Sequence, residues 1–244
     1  MTSPELADAL RRGRDRVVVP FGAVEQHGSH LALETDALLG DHLGALLAER
    51  IDALCAPTVR IGCSEHHMAG AGTLSLQPAT LRLIVRDIVV SLARHGFRTI
   101  VLLPTHAGNA APIARAAGVL EPPSRVRVMA VADMHALAAA LNAASARGGA
   151  AVADTVAHAG EIETCLLLAL APTAVRPAAD QAVQGDDGRE GSMERPHRES
   201  SPSRAPAAGT RTAMAAAGRR YVTAFLAECL RQLEAQGIRP CAFA

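Results

Sequence analysis

Short β-branched apolar runs alternate along this chain with longer stretches of helical period, and that alternation restricts the fold more than any other feature. Val17-Val18-Val19 stops at Pro20-Phe21-Gly22 and is too short for a helix. Thr99-Ile100-Val101-Leu102-Leu103 is the most strand-like run and ends at Pro104, while Val126 to Asp133 predicts a further strand. Between these runs, Asp36 to Ile51 sets Leu38, Leu39, Leu43, Leu46 and Leu47 at helical spacing. Pro78 opens a helix to about His95, with Leu81, Ile84, Val85, Ile88, Val89 and Leu92 on one face and Gly96 as its C-cap. Ser3 to Leu10 reads as a short capped helix, Ala53 to Ile61 as a return to the sheet, and Met134 to Arg147 as a helix. An apolar helix follows at Cys165 to Ala171, and Thr210 to Gln236 closes the chain with Val222, Phe225, Leu226, Cys229, Leu230 and Leu233 on its inner face. Such strand, loop and helix repetition predicts an α/β fold of three layers, a mostly parallel sheet flanked by helices.

A chain of 244 residues with 49% hydrophobic content can bury one sizeable core, so 1–244 is expected to form a single domain. Gln181 to Gly209 is rich in Gly, Pro, Ser, Asp and Arg without an apolar period, and reads as a long mobile loop or lid. The 24 basic residues balance 24 acidic ones, so no net field draws nucleic acid or an anionic membrane, and a small-molecule partner fits better. Lysine is absent, which excludes Schiff-base chemistry. The 5 cysteines form no CxxC pair and are odd in number, so neither a zinc ribbon nor a disulfide framework is expected. With no apolar leader segment or membrane-length run, the expectation is a cytoplasmic protein.

Ionisable residues concentrate where the strand runs end. Glu25, His27 and Asp36 follow the first strand, and Glu25-x-His27 on extended backbone would put two ligand-competent side chains side by side. His106 follows the strand that ends at Pro104, and His158 with Glu161 and Glu163 precedes the apolar helix. Each group also has a plain structural reading. Asp36 can be an N-cap, His106 a hydrogen-bonded loop residue, and Glu161 and Glu163 can answer a helix dipole. In a parallel sheet, however, ligands bind beyond the carboxyl ends of the strands, where all three clusters are expected to meet.

On these motifs the sequence resembles the creatininase (creatinine amidohydrolase) family. Glu25-Gln26-His27-Gly28-Ser29-His30-Leu31-Ala32-Leu33-Glu34-Thr35-Asp36 is similar to the family's EQHGPHLPLxTD. Gly72-Thr73-Leu74-Ser75-Leu76 looks like its GTISL, His106-Ala107-Gly108-Asn109 like HGGN, and Gly160-Glu161-Ile162-Glu163-Thr164 like the region ending in ET. Ala208 through Arg220 is a weaker echo of a C-terminal segment. The resemblance implies two divalent metal ions, zinc with manganese or iron as alternatives, held by Glu25 and His106 on one side and by His27 and Glu163 on the other, with Asp36 bridging. Such ions acidify a shared water and polarise a carbonyl. His158 would then carry a proton to the departing nitrogen. His67, Ser64 and Asn109 are the candidate substrate contacts, His66 stands where a Glu is common, and His30 and Glu34 fall behind the ligands or on the surface.

The implied activity is hydrolysis of a non-peptide C–N bond in a cyclic amide, lactam or formamide. The resemblance also allows a peptidase trimming a short peptide, as in mycofactocin maturation, or a metal-bound scaffold without catalysis. It further implies a homo-oligomer, a hexamer in creatininase itself. Creatininase carries a Glu where this chain has Gly108 and closes over creatinine with aromatic residues; here Trp is absent and Tyr221 is the single Tyr, so the pocket must be lined differently.

Overall fold

The computed structural model describes residues 1–120, 125–147, 158–176 and 211–238. The apolar runs become β1 (Arg16–Phe21), β2 (Leu54–Cys55), β3 (Thr99–Pro104) and β4 (Arg127–Ala130), all parallel in the order β2-β1-β3-β4. Around them lie α1 (Ser3–Arg11), α2 (Thr35–Arg50), α3 (Pro78–Arg94), α4 (Ala107–Val119), α5 (Met134–Arg147), α6 (Glu161–Leu170) and α7 (Arg211–Ala235). The α/β reading therefore holds.

Strand alternation sorts the core into two faces. Val18, Val101, Leu103 and Met129 pack with residues of α2, α5, α6 and α7. Val17, Val19, Phe21, Ile100 and Leu102 face the other way, onto Leu81, Val85 and Val89 of α3 and Ile113 and Ala116 of α4. The central pair runs in register from Arg16 opposite Thr99 to Phe21 opposite Pro104, so the loops after β1 and β3 leave the sheet at the same level.

Two expected strands are shorter than the sequence suggests. The 53–61 strand reduces to Leu54–Cys55 plus an isolated bridge from Val59 to Phe21. Pro20 has no N–H to offer on the edge where its carbonyl receives the Val59 N–H, and Pro57 breaks the run between the two contacts. At the other edge β4 ends at Ala130, because Asp133 turns to cap α5, its Oδ1 accepting from Ala136 N at 2.9 Å. The 181–209 loop, Thr210 and Cys241 lie outside the described residues. Among the described residues no helix is long and apolar enough to cross a membrane.

Helices α6 and α7 cross in close contact at Gly218. A Cβ built there would sit 1.9 Å from the Cys165 carbonyl oxygen, so the crossing admits hydrogen alone. Gly118, near the end of α4, has nothing within 4 Å of the same position. Urea denaturation should therefore separate the two. Gly218→Ala is expected to lose about 1–3 kcal/mol by overpacking, whereas Gly118→Ala should be neutral or gain up to about 1 kcal/mol from helix propensity.

Candidate metal centre

Beyond Phe21 the chain passes Gly22, where a Cβ would fall 2.5 Å from Ala37 Cα, so the loop after β1 lies directly on the first turn of α2. The loop closes on itself through Glu25 N to Leu33 O at 2.9 Å and Gly28 at φ 67°. The extended backbone expected for Glu25-x-His27 ends at the Val24–Leu74 bridge. His27 instead folds back so that its Nδ1 donates to the Glu25 carbonyl at 3.1 Å, and both side chains still enter one cluster.

Three imidazoles share that manner of anchoring. The Nε2 of His106 donates to the Cys63 carbonyl at 3.0 Å, and the Nε2 of His158 donates to the Gln26 carbonyl at 2.6 Å. A carbonyl can only accept, so each ring keeps a proton on the anchored nitrogen and turns the other toward the carboxylates. His27 Nε2 lies 3.6 Å from Asp36 Oδ1 and 3.8 Å from Glu163 Oε2. His106 Nδ1 lies 3.0 Å from Asp36 Oδ2 and 3.4 Å from Glu25 Oε1, which His158 Nδ1 approaches to 3.5 Å.

Asp36 is the second residue of α2 and makes no capping bond; Glu34 stands at the N-cap position. The capping reading of Asp36 therefore fails. Its two oxygens face two different imidazoles, and its main-chain carbonyl accepts from Thr105 Oγ1 at 2.8 Å. Glu163 enters from the first turn of α6, held by the Ala159 N–H on its Oε2 at 2.6 Å. Three sets of ligand-competent atoms each lie within 4.8 Å of one another: His27, Asp36 and Glu163; Glu25, His66 and His106; Glu25, His27 and His158.

The donor set fits divalent cations. Glu25 Oε2, His27 Nε2 and Asp36 Oδ2 are buried without a hydrogen-bond partner. Orphaned polar atoms of this kind each cost free energy in a dry interior, and adjacent carboxylates raise that cost. Mixed nitrogen and oxygen donors suit zinc, manganese or iron.

In the metal-free protein the cluster balances itself with protons. Burial opposes charge on His27, but Asp36 and Glu163 prevail and raise its pKa to about 9. Burial likewise disfavours charge on His106, and Asp36 and Glu25 overcome it to give about 10. Asp36 is driven down to about 2 against its own burial by the His106 and His27 rings that face its two oxygens. Glu163 rises to about 7 through burial and the Asp36 charge. Burial and the charge on His27 push His158 below the ordinary imidazole range.

The remaining sequence candidates fall into distinct places. His67 is half-buried, stacks on His158 at 3.9 Å between centroids, and points Nε2 at Glu25 Oε1 across 3.6 Å. Exposed His66 stacks over His106 at 5.8 Å. Ser64 is fully buried, with Oγ 3.5 Å from His106 Nε2. Asn109 is also fully buried: its Oδ1 accepts from Cys63 N, and its Nδ2 donates to the Phe21 and Gly22 carbonyls. That amide staples the loops and has no donor left for a substrate. His30 is buried and donates to Thr164 Oγ1 at 2.9 Å, tying the first loop to α6, while Glu34 is exposed and pairs with Arg60. Glu161 accepts from the Tyr221 hydroxyl at 3.3 Å.

Sequence reasoning passed over Gln26, whose Nε2 donates to His67 Nδ1 at 3.3 Å, and Thr105, which braces Asp36. Gln26 lies inside a recognised motif and could have been flagged. Thr105 lies outside the quoted motifs and gave no signal.

The chain is similar to known proteins over nearly its whole length. The family model described as creatininase, creatinine amidohydrolase, matches residues 1–233. The chain is 33% identical over 190 residues to a creatinine amidohydrolase of Pseudomonas putida, an alignment covering 72% of each protein. It is 31% identical over 176 residues to a mycofactocin precursor peptide peptidase of Mycolicibacterium smegmatis, covering 70% of this chain and 63% of that protein. A solved creatininase with Mn superposes with a TM-score of 0.69 at 27% identity, covering 97% of this chain and 96% of the other. A mutant creatininase of Zn-Zn type gives 0.67 at 26% identity over the same shares. From the anchored imidazoles, the shared motifs and a match over nearly its whole length, this chain belongs to the creatininase family.

Proposed function

We propose that this creatininase-family hydrolase is a metal-dependent amidohydrolase cleaving a non-peptide C–N bond, in a cyclic amide, lactam or formamide, of a small molecule. The observation that supports it best is Asp36, whose Oδ1 and Oδ2 face His27 and His106 separately, with Glu163 beside the first and Glu25 beside the second. On this reading Glu25 and His106 would hold one divalent ion and His27 and Glu163 the other, with Asp36 shared between them. When bound, such ions acidify a water and polarise the scissile carbonyl. Zinc is the leading choice, with manganese or iron as alternatives.

The chain's own residues divide the remaining work. The carbonyl anchors on His27, His106 and His158 fix ring orientation and tautomer before any ligand arrives. His158 stands neutral at pH 7, its Nε2 proton committed to Gln26 and its Nδ1 facing the cluster. It takes a proton at Nδ1 and passes it to the departing nitrogen. Water adds to the acyl carbon and the C–N bond breaks, giving a carboxylate and an amine that remain in one molecule when the amide is cyclic.

Creatinine is a poor candidate for the substrate. A Cβ at Gly108 would fall 2.3 Å from the Cys63 carbonyl oxygen that anchors His106, so this loop conformation has no room for a Glu at that position. Tyr221 is buried in the core with its hydroxyl on Glu161, and does not line the cavity. The similarity to a peptide peptidase favours a second reading, trimming of a short peptide. A panel of a formamide, a lactam and a dipeptide decides between them. Lactam or formamide turnover is expected, and release of a dipeptide from a peptide substrate without it would reverse the ranking.

Elemental analysis should find about two equivalents of transition metal per chain. Asp36→Ala should abolish both loading and activity, whereas Glu34→Ala, altering an exposed carboxylate, should leave both intact. Equal loss from the two would misplace the bridge.

Metal removal should also reverse the pH dependence of stability. His27 and His106 have folded pKa values raised above the ordinary 6.5 to about 9 and about 10. Their contribution in the stripped protein is present below about pH 6.5 and is lost as pH rises through those values. The Tm of chelator-treated protein is thus expected to fall from pH 7 to 10. Metal-loaded protein should instead gain from rising pH, because cations must displace those protons.

A further inference from the structure

Past the polar cluster the same cavity, of about 280 Å³, extends between α2, α5, α6 and α7. Leu43, Met134, Leu137, Leu141, Leu166 and Phe225 wall it there. Among the described residues, no charged side chain outside the His and carboxylate cluster lines the cavity. Thr105 is the other polar lining residue, and its hydroxyl is committed to the Asp36 carbonyl. A space with ionisable groups at one end and aliphatic walls at the other offers nothing to a polar ring beyond the reacting amide itself.

We propose that this chamber is an acyl subsite, holding a short aliphatic group attached to the carbonyl carbon of the scissile amide. The proposal rests on the amidohydrolase reading above and narrows its substrate class to amides of aliphatic carboxylic acids, lactams included and formamides, which carry only hydrogen on the acyl carbon, excluded. The orientation follows from the histidines. His158 stacks on His67, which belongs to the loop carrying exposed His66 and Met68, so the nitrogen that His158 protonates lies toward that loop. The substituent across the carbonyl then points at the helices. Hydrolysis releases the aliphatic carboxylate from the chamber side and the amine toward the loop, with the water's oxygen on the acid.

Straight-chain hydroxamates, which chelate through their polar end, probe the chamber without turnover. Calorimetric titration of metal-loaded protein should show Kd falling about fourfold per added methylene. Over the four methylenes between acetohydroxamate and hexanohydroxamate that amounts to roughly 250-fold. Acetohydroxamate binding as tightly as hexanohydroxamate would overturn the subsite while leaving the metal centre standing. Leu141→Phe, which fills the chamber, should flatten the series; if that variant does not fold, the wild-type series decides alone. In metal-free protein, hexanamide but not acetamide should shift the methyl resonances of Leu137 and Leu141. That shift, together with no hydroxamate affinity after metal loading, would support the chamber and reject the metal reading. Its absence would count against the chamber whatever the metals do.

Discussion

Everything at the carboxyl edge of this sheet depends on one electrostatic constraint: Glu25, Asp36 and Glu163 are gathered within a few ångströms of His27, His106 and His158. Two unit charges about 4 Å apart near a protein surface interact by about 4 kcal/mol, so three carboxylates this close need compensation. In the metal-free chain it comes from protons, which is why His27 and His106 are raised and Asp36 is driven down. The same arrangement is pre-organised for cations, because each ring has its second nitrogen tied to a backbone carbonyl and cannot turn away.

The fold supplies the rigidity this constraint needs. Register between β1 and β3 brings their loops out at one level, and the buried Asn109 amide then binds the Phe21 and Gly22 carbonyls and the Cys63 N–H together. The Gly22 carbonyl and the Cys63 N–H, loop groups outside the strands, are thereby paired inside the protein, and the Phe21 carbonyl at the end of β1 gains a second donor beside the Thr105 N–H. From the opposite face α6 delivers Glu163, and His30 with Thr164 fixes that helix to the first loop. Close passage at Gly22 and Gly218 lets α2 and α7 approach near enough for the cluster to close and the chamber to form behind it.

Specificity diverges where the site meets the substrate. Gly108 leaves no space for a side chain, the one Tyr is sequestered in the core, and apolar residues of four helices, Phe225 among them, line the rest of the cavity. The His and carboxylate cluster thus follows the family's motifs, while the remaining lining of the cavity is this chain's own.

By itself the sequence determined the parallel α/β fold, because β-branched runs and helical periods are local properties of consecutive residues. It also singled out Glu25, His27, Asp36, His106, His158 and Glu163, since recognised motifs hold those residues at fixed spacing. It overextended the 53–61 strand, where the missing N–H of Pro20 on a neighbouring strand matters. It placed Asn109 against substrate, although that amide is spent on three distant backbone groups. Only the tertiary structure decided that Asp36 turns inward instead of capping, that Thr105 braces it, and that Leu43, Leu141 and Phe225 share one chamber. These are contacts between residues tens to hundreds of positions apart, and no periodicity within a single segment encodes them.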